Sequence, residues 1–170
     1  MPVLAEIMLA QNVFFGILSL VMVVAAFRLV TTKNVVRAAL FLAIVLAGAA
    51  GQFLLLAAEF VAVVQVLVYI GAIVVLLLFG VMLTRAPIGA EGTLDNDQRW
   101  LAALVALFLL GALGAVLSDA FGTQEITFGQ VPRTADISDS IFGPYIIPFE
   151  VASILLLAAL VGAVAIARRD

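Results

Sequence analysis

The chain has neither cysteine nor histidine among its 170 residues. Without thiolates it ligates no iron–sulfur cluster and forms no disulfide. Without imidazole it lacks the usual axial ligand of a membrane haem. No redox centre is therefore expected on this chain. Charge is the next shortage: Asp, Glu, Lys and Arg make up 11% of the residues, while 66% are apolar. An average soluble domain carries about 25% charged residues. The net charge of −3 comes with no basic patch of the kind nucleic-acid binding requires. Nucleophile–base pairs, metal-ligand clusters and phosphate-binding loops are also missing from the sequence. The expectation is no catalytic, cofactor-binding or metal-binding residue.

What remains is apolar length. The run from Phe60 to Leu83, FVAVVQVLVYIGAIVVLLLFGVML, carries no charge. As an α-helix it extends about 36 Å, more than the roughly 30 Å of a hydrocarbon core. Four further runs have spanning length. The sequence predicts an all-α integral membrane bundle of five transmembrane helices, a single domain over residues 1–170. The helices are placed at about 12–30, 35–57, 60–83, 100–117 and 148–167. Asn12 and Asn34 are candidate N-caps, and Trp100 stands at the depth where aromatic anchors collect. The opening MPVLAEIMLAQN lacks the positive stretch of a secretory signal, so the first apolar run is expected to remain in the mature protein.

Charge at the helix ends orients the bundle. Arg28, Lys33 and Arg37 flank the first link, Arg85 and Arg99 the third, and Arg168 and Arg169 follow the last helix. Five helices with the N-terminus outside and the C-terminus in the cytoplasm put all of these on the cytoplasmic side. Only Arg133 of the eight basic residues is then left outside. Residues 84–99, with Pro87, Gly89 and Gly92, read as a flexible cytoplasmic loop. Residues 118–143 read as a longer outer segment with scattered apolar side chains. Gly48 and Gly51, Gly111 and Ala115, and Ala158 and Gly162 are small residues that let helices approach closely.

A few polar groups interrupt the apolar runs. Glu59 stands at the outer start of the third helix. Glu150 follows Pro148 by two residues. If Pro148 is the first helical residue, Glu150 lies in the first turn, where the helix dipole favours a carboxylate. The dipole accounts for both acids structurally; a proton relay is the other reading, since acids at membrane depth are functional by default. Gln65 and Tyr69 are four apart and share a helix face. They are either satisfied by neighbouring helices or part of a water-lined, proton-conducting surface. Gly71 and Gly80 add backbone freedom to a helix with length to spare.

At these residues the sequence resembles the J subunit (chain 6) of proton-pumping NADH:quinone oxidoreductase, respiratory complex I. The match centres on Gln65–Val66–Leu67–Val68–Tyr69–Ile70–Gly71–Ala72–Ile73–Val74–Val75–Leu76. A second block is Tyr145–Ile146–Ile147–Pro148–Phe149–Glu150–Val151–Ala152–Ser153, followed by Leu155 to Val164. The resemblance implies a non-catalytic subunit in the membrane arm, beside the quinone-site and proton-channel subunits and in contact with lipid. It implies a bacterial plasma membrane location and no nucleic-acid partner. FMN, iron–sulfur clusters and quinone are then expected on other subunits. It further implies a π-bulge in the third helix around Tyr69 to Val74, gating a water chain towards neighbouring carboxylates. Gln65, Tyr69, Ile70, Gly71, Ala72, Ile73, Val74 and Val75 become the proton-path or gate candidates. Ile70 departs from the small residue often found between the tyrosine and glycine. The alternatives in view are a subunit of a related multi-subunit cation/proton antiporter, or of a ferredoxin- or deazaflavin-dependent oxidoreductase. A stand-alone transporter more often shows charged residues at mid-membrane, and none stands at the centre of these helices.

The topology is testable by labelling. Single cysteines at Gly92 and Thr123 are expected to react with impermeant reagents from opposite sides of the membrane. Reaction of both from one side rejects the five-helix arrangement.

Overall fold

Long apolar runs rich in Leu, Ala and Met favour helix, and the described residues form helices joined by short turns, with no strand among them. The computed structural model describes residues 2–84, 98–123 and 132–168. The helices are α1 (Pro2–Thr31), α2 (Val35–Leu55), α3 (Glu59–Leu83), α4 (Arg99–Phe121), α5 (Thr134–Phe142) and α6 (Ile146–Ala167). All but α5 contain a stretch long and apolar enough to cross a membrane. The chain divides into two units, residues 1–129 and 130–170.

In the first unit α2 lies between α1 and α3. Antiparallel packing of α1 on α2 is fixed by three meetings. Met22 presses on Gly48, Leu18 on Gly51, and the Gln52 amide donates to the Ser19 hydroxyl at 3.0 Å. Gly48 and Ala50 are two residues apart, which puts them on opposite sides of α2. Ala39 and Ala50 thus line the face left for α3. The buried apolar residues of this unit are Ala25, Ala39, Ala50, Ala62 and Val74, with Gly48 beside them. The helices pack through small side chains, which lets backbones approach, while the large apolar side chains point outward.

The ends are closed locally. The Asn34 side chain accepts from the Arg37 amide at 3.0 Å, the expected N-cap of α2. At the other end of α2 the Ala58 amide donates to Phe53 O and the Ala57 amide to Leu54 O, the two bonds of a Schellman turn. Ala57 holds the left-handed position, φ 57°, that glycine usually takes. The Gln11 amide also donates to the Leu55 carbonyl, one of the acceptors a helix end leaves open. Thr31 and Thr84 turn their hydroxyls back onto Phe27 O and Gly80 O at the ends of α1 and α3.

Three sequence expectations need correction. Helix α1 starts at Pro2, not near Asn12, so Asn12 is an exposed residue inside a helix and not a cap. Proline suits the first helical position, and the Leu, Ala, Glu and Met that follow sustain the helix. Helix α6 begins at Ile146, before Pro148. The missing N–H of Pro148 falls among the first amides of the helix, which have no partner in any case. Glu150 therefore lies beyond the first turn. The segment at 118–143 contains an additional helix, α5. Its start is secured by the Arg133 amide donating to the Asp136 carboxylate at 2.8 Å. In the second unit the Phe142 and Phe149 rings meet edge to face, 5.1 Å between centroids, and join α5 to α6. Residues 85–97, most of the expected cytoplasmic loop, lie outside the described residues.

The α1–α2 contact predicts an order of effects. A Cβ at Gly48 would run into Met22, standing 2.8 Å from its sulfur, whereas one at Gly51 would meet only the tip of Leu18 at 3.1 Å. Gly48→Ala is expected to cost about 1–3 kcal/mol through overpacking. Gly51→Ala should cost less, and Gly80→Ala, which meets open space, least. Thermal retention of this subunit in the purified membrane complex checks the order.

Candidate functional site

Helix α3 is α-helical over Glu59–Val64, π-helical over the ten residues Gln65–Val74, and α-helical again over Val75–Leu83. Such wide turns are rare, usually single, and concentrate at functional sites. The family resemblance implies a bulge around Tyr69 to Val74; the observed segment starts earlier, at Gln65, and ends at Val74. The Gln65 amide at its entrance is shared between the carbonyls of Val61 and Ala62.

The π segment changes which side chains meet the rest of the unit. The covered side of α3 runs through Ala62, Gln65, Ile70, Val74 and Leu78. The step from Gln65 to Ile70 is five residues, where a regular helix returns after three or four and would reach Tyr69. Gln65 is consequently 8% exposed and Val74 2%, while Tyr69 is 46% exposed. The four-residue spacing of Gln65 and Tyr69 implies a shared face, and within the π segment the two differ in exposure. Gly71, Ala72, Ile73 and Val75 are exposed with Tyr69, and Ile70 is half-buried. A Cβ at Gly71 would stand 3.4 Å from the Val66 carbonyl oxygen, at the edge of ordinary contact.

Gln65 is the polar side chain buried among the described residues. Neither the side-chain amide of Gln65 nor the Tyr69 hydroxyl has a hydrogen-bond partner among the described residues. Several other polar groups in the spans are served within the chain. Ser118 and Ser153 donate to Ala115 O and Phe149 O, and Gln52 donates to Ser19. The Ser19–Gln52 pair was legible as polar residues in apolar runs, but the sequence does not show that they meet.

The two interface acids lie apart from this segment. Glu59 is the first residue of α3, exposed, in the turn where the helix dipole favours negative charge. Glu150 is exposed on α6, in the other unit. No three acidic side chains gather as metal ligands among the described residues.

Comparison with known proteins shows the family. The family model for NADH-ubiquinone/plastoquinone oxidoreductase chain 6 matches residues 25–166, which include the whole π segment. The F(420)H(2) dehydrogenase subunit J of Methanosarcina mazei is 45% identical over 167 residues, covering 94% of this chain and 92% of the relative. The NAD(P)H-quinone oxidoreductase chain 6 of a Nostoc species is 36% identical over 170 residues, covering 94% and 80%. The chloroplastic NAD(P)H-quinone oxidoreductase subunit 6 of Chlorokybus atmophyticus is 36% identical over 189 residues, covering 99% and 87%. The chain belongs to the NADH-ubiquinone/plastoquinone oxidoreductase chain 6 family.

Proposed function

We propose that α3 of this membrane-arm subunit gates proton passage in a quinone oxidoreductase by changing between a π and a regular register. The ten-residue π segment, within the stretch the family shares, is the observation that supports the gate. Losing a one-residue insertion turns the helix beyond it by roughly 100° and shifts it by about 1.5 Å. Val74 then leaves the face it now fills, and Val75 turns with it. Bulky apolar side chains interrupt a water chain, and their departure admits one. The two registers need differ by only a few kcal/mol. Moving a proton against 100 mV takes about 2.3 kcal/mol, so modest repacking is enough to bias the gate.

The chemistry of electron transfer lies elsewhere on this reading. The chain is a multi-pass membrane subunit without an active site. It works beside quinone-site and proton-channel subunits of the plasma membrane, and FMN, iron–sulfur clusters and quinone are held by those other subunits. Glu59 serves as a helix-end charge, placed where the dipole favours it, while Glu150 is an exposed acid beyond the first turn of α6.

Gly71→Val tests the gate. Its branched side chain reaches the Val66 carbonyl across a turn that has room for little more than a methyl group. A bias of about 1–2 kcal/mol, roughly ten-fold in the register equilibrium, is expected. Proton pumping should fall much more than assembly, and Tyr69→Phe should be milder because only the hydroxyl is lost. Quinone reductase activity and pumped protons are measured in membranes of matched complex content. Full activity and stoichiometry in Gly71→Val reduces α3 to a structural span.

A second reading concerns the electron donor. The 45% identity to a subunit named for F(420)H(2) dehydrogenase favours F(420)H(2) over NADH for the complex that holds this chain. Membranes containing that complex should reduce quinone faster with F(420)H(2) than with NADH. The opposite preference assigns the donor to NADH.

A further inference from the structure

Arg28, Lys33 and Arg37 crowd the link between α1 and α2. Arg28 is in the last turn of α1, Arg37 is in the first turn of α2, and only residues 32–34 separate the helices. All three cations are exposed, and none has an ion pair among the described residues. The acids of this part of the chain, Glu6 and Glu59, stand at the opposite ends of α1 and α2, about 30 Å of helix away. The helix dipole accounts for Arg28, since the last turn of a helix favours a cation. It does not account for Arg37, because a first turn disfavours positive charge and α2 has no acid there.

The residues deeper in the span are apolar. On α2, Leu40 and Ile44 follow Arg37 by three and seven residues and share its face. On α1, Val24 and Val21 precede Arg28 by four and seven residues and share its face. All four are exposed. Each arginine thus heads an exposed apolar column that runs into the membrane. So short a link cannot rise far above its helix ends, which keeps the cations at headgroup depth.

We propose that the α1–α2 link binds an anionic phospholipid, its headgroup phosphate held by Arg28, Lys33 and Arg37 and its acyl chains laid along the columns below. A soluble acidic partner or free phosphate answers the charge and leaves the columns unused; a lipid answers both. The site is independent of the gate in α3.

The test counts lipids on the intact complex. Delipidated complex is incubated with phosphatidylglycerol or phosphatidylcholine in mixed micelles, and retained lipids are counted by native mass spectrometry. Wild type, Arg37→Gln, Arg37→Lys and Arg99→Gln are compared. Wild type is expected to retain phosphatidylglycerol in preference to phosphatidylcholine. Arg37→Gln should weaken the hold on one phosphatidylglycerol about five-fold, as loss of one cation at a membrane surface does. Arg37→Lys should restore most of it, and Arg99→Gln, which removes a cation at the start of α4, should change nothing. The wild-type complex in phosphatidylglycerol nanodiscs supplies a second measurement that needs no variant. Its structure should show a lipid phosphate paired with at least two of the three cations. Equal retention of the two lipids by wild type, no effect of Arg37→Gln, or an equal loss in Arg99→Gln overturns the site. So does a carboxylate of this or another subunit paired with the cations in place of lipid.

Discussion

In hydrocarbon a backbone amide or carbonyl has no water to turn to, so a span has to satisfy its own ladder. That constraint governs α3. A break or an open loop would leave peptide groups stranded, whereas a π segment redirects the ladder and keeps the segment helical. It changes the direction of every side chain beyond it at the cost of one irregular stretch. The covered line that jumps from Gln65 to Ile70 is the visible result. The same demand explains two helix ends, where the Asn34 side chain accepts from the Arg37 amide and the Gln11 amide donates to the Leu55 carbonyl.

The second governing feature is close approach through small side chains. Without a hydrophobic drive between helices in lipid, association depends on packing and on interhelical hydrogen bonds. The first unit has both, in the Gly48–Met22 contact and the Gln52–Ser19 bond. Helix α4 has no buried residue, and no described atom stands within 4 Å of where a Cβ would be at its Gly111 or at Gly162 of α6. The faces that small residues prepare on these helices are unused inside their own units. A subunit of a larger membrane complex presents such faces to its neighbours.

How much of this was legible beforehand depends on the kind of signal. Spanning helices are written in uncharged runs, and all five were recognisable. Asn34 was readable as a cap because an asparagine stands directly before an apolar run. Asn12 has the same local appearance, but the residues before it are good helix formers and carry the helix past it. Pro148 marks a helix start only to within a turn, since any of the first amides is dispensable. Helix α5 is short and polar on one side, and its capping carboxylate Asp136 resembles a loop residue until its partner is known. The π segment was expected from family resemblance, not from periodicity. Counting by fours put Gln65 and Tyr69 together, whereas the covered positions of α3 step by five, from Gln65 to Ile70. That the Gly48 face meets α1 while Ala50 faces the other way is likewise a three-dimensional fact with no linear signature.

The turn before α3 has a mechanical consequence. Ala57 is held in a left-handed conformation by a pair of backbone bonds, with the Gln11 amide on the carbonyl beside it. Three hydrogen bonds thus clamp one end of the helix within a few residues of Glu59. A shaft clamped at one end delivers its twist at the other. On the gate reading, torsion released in the middle of α3 cannot dissipate into the turn. It is delivered towards Thr84, the end of α3 that faces the cytoplasm in the proposed orientation.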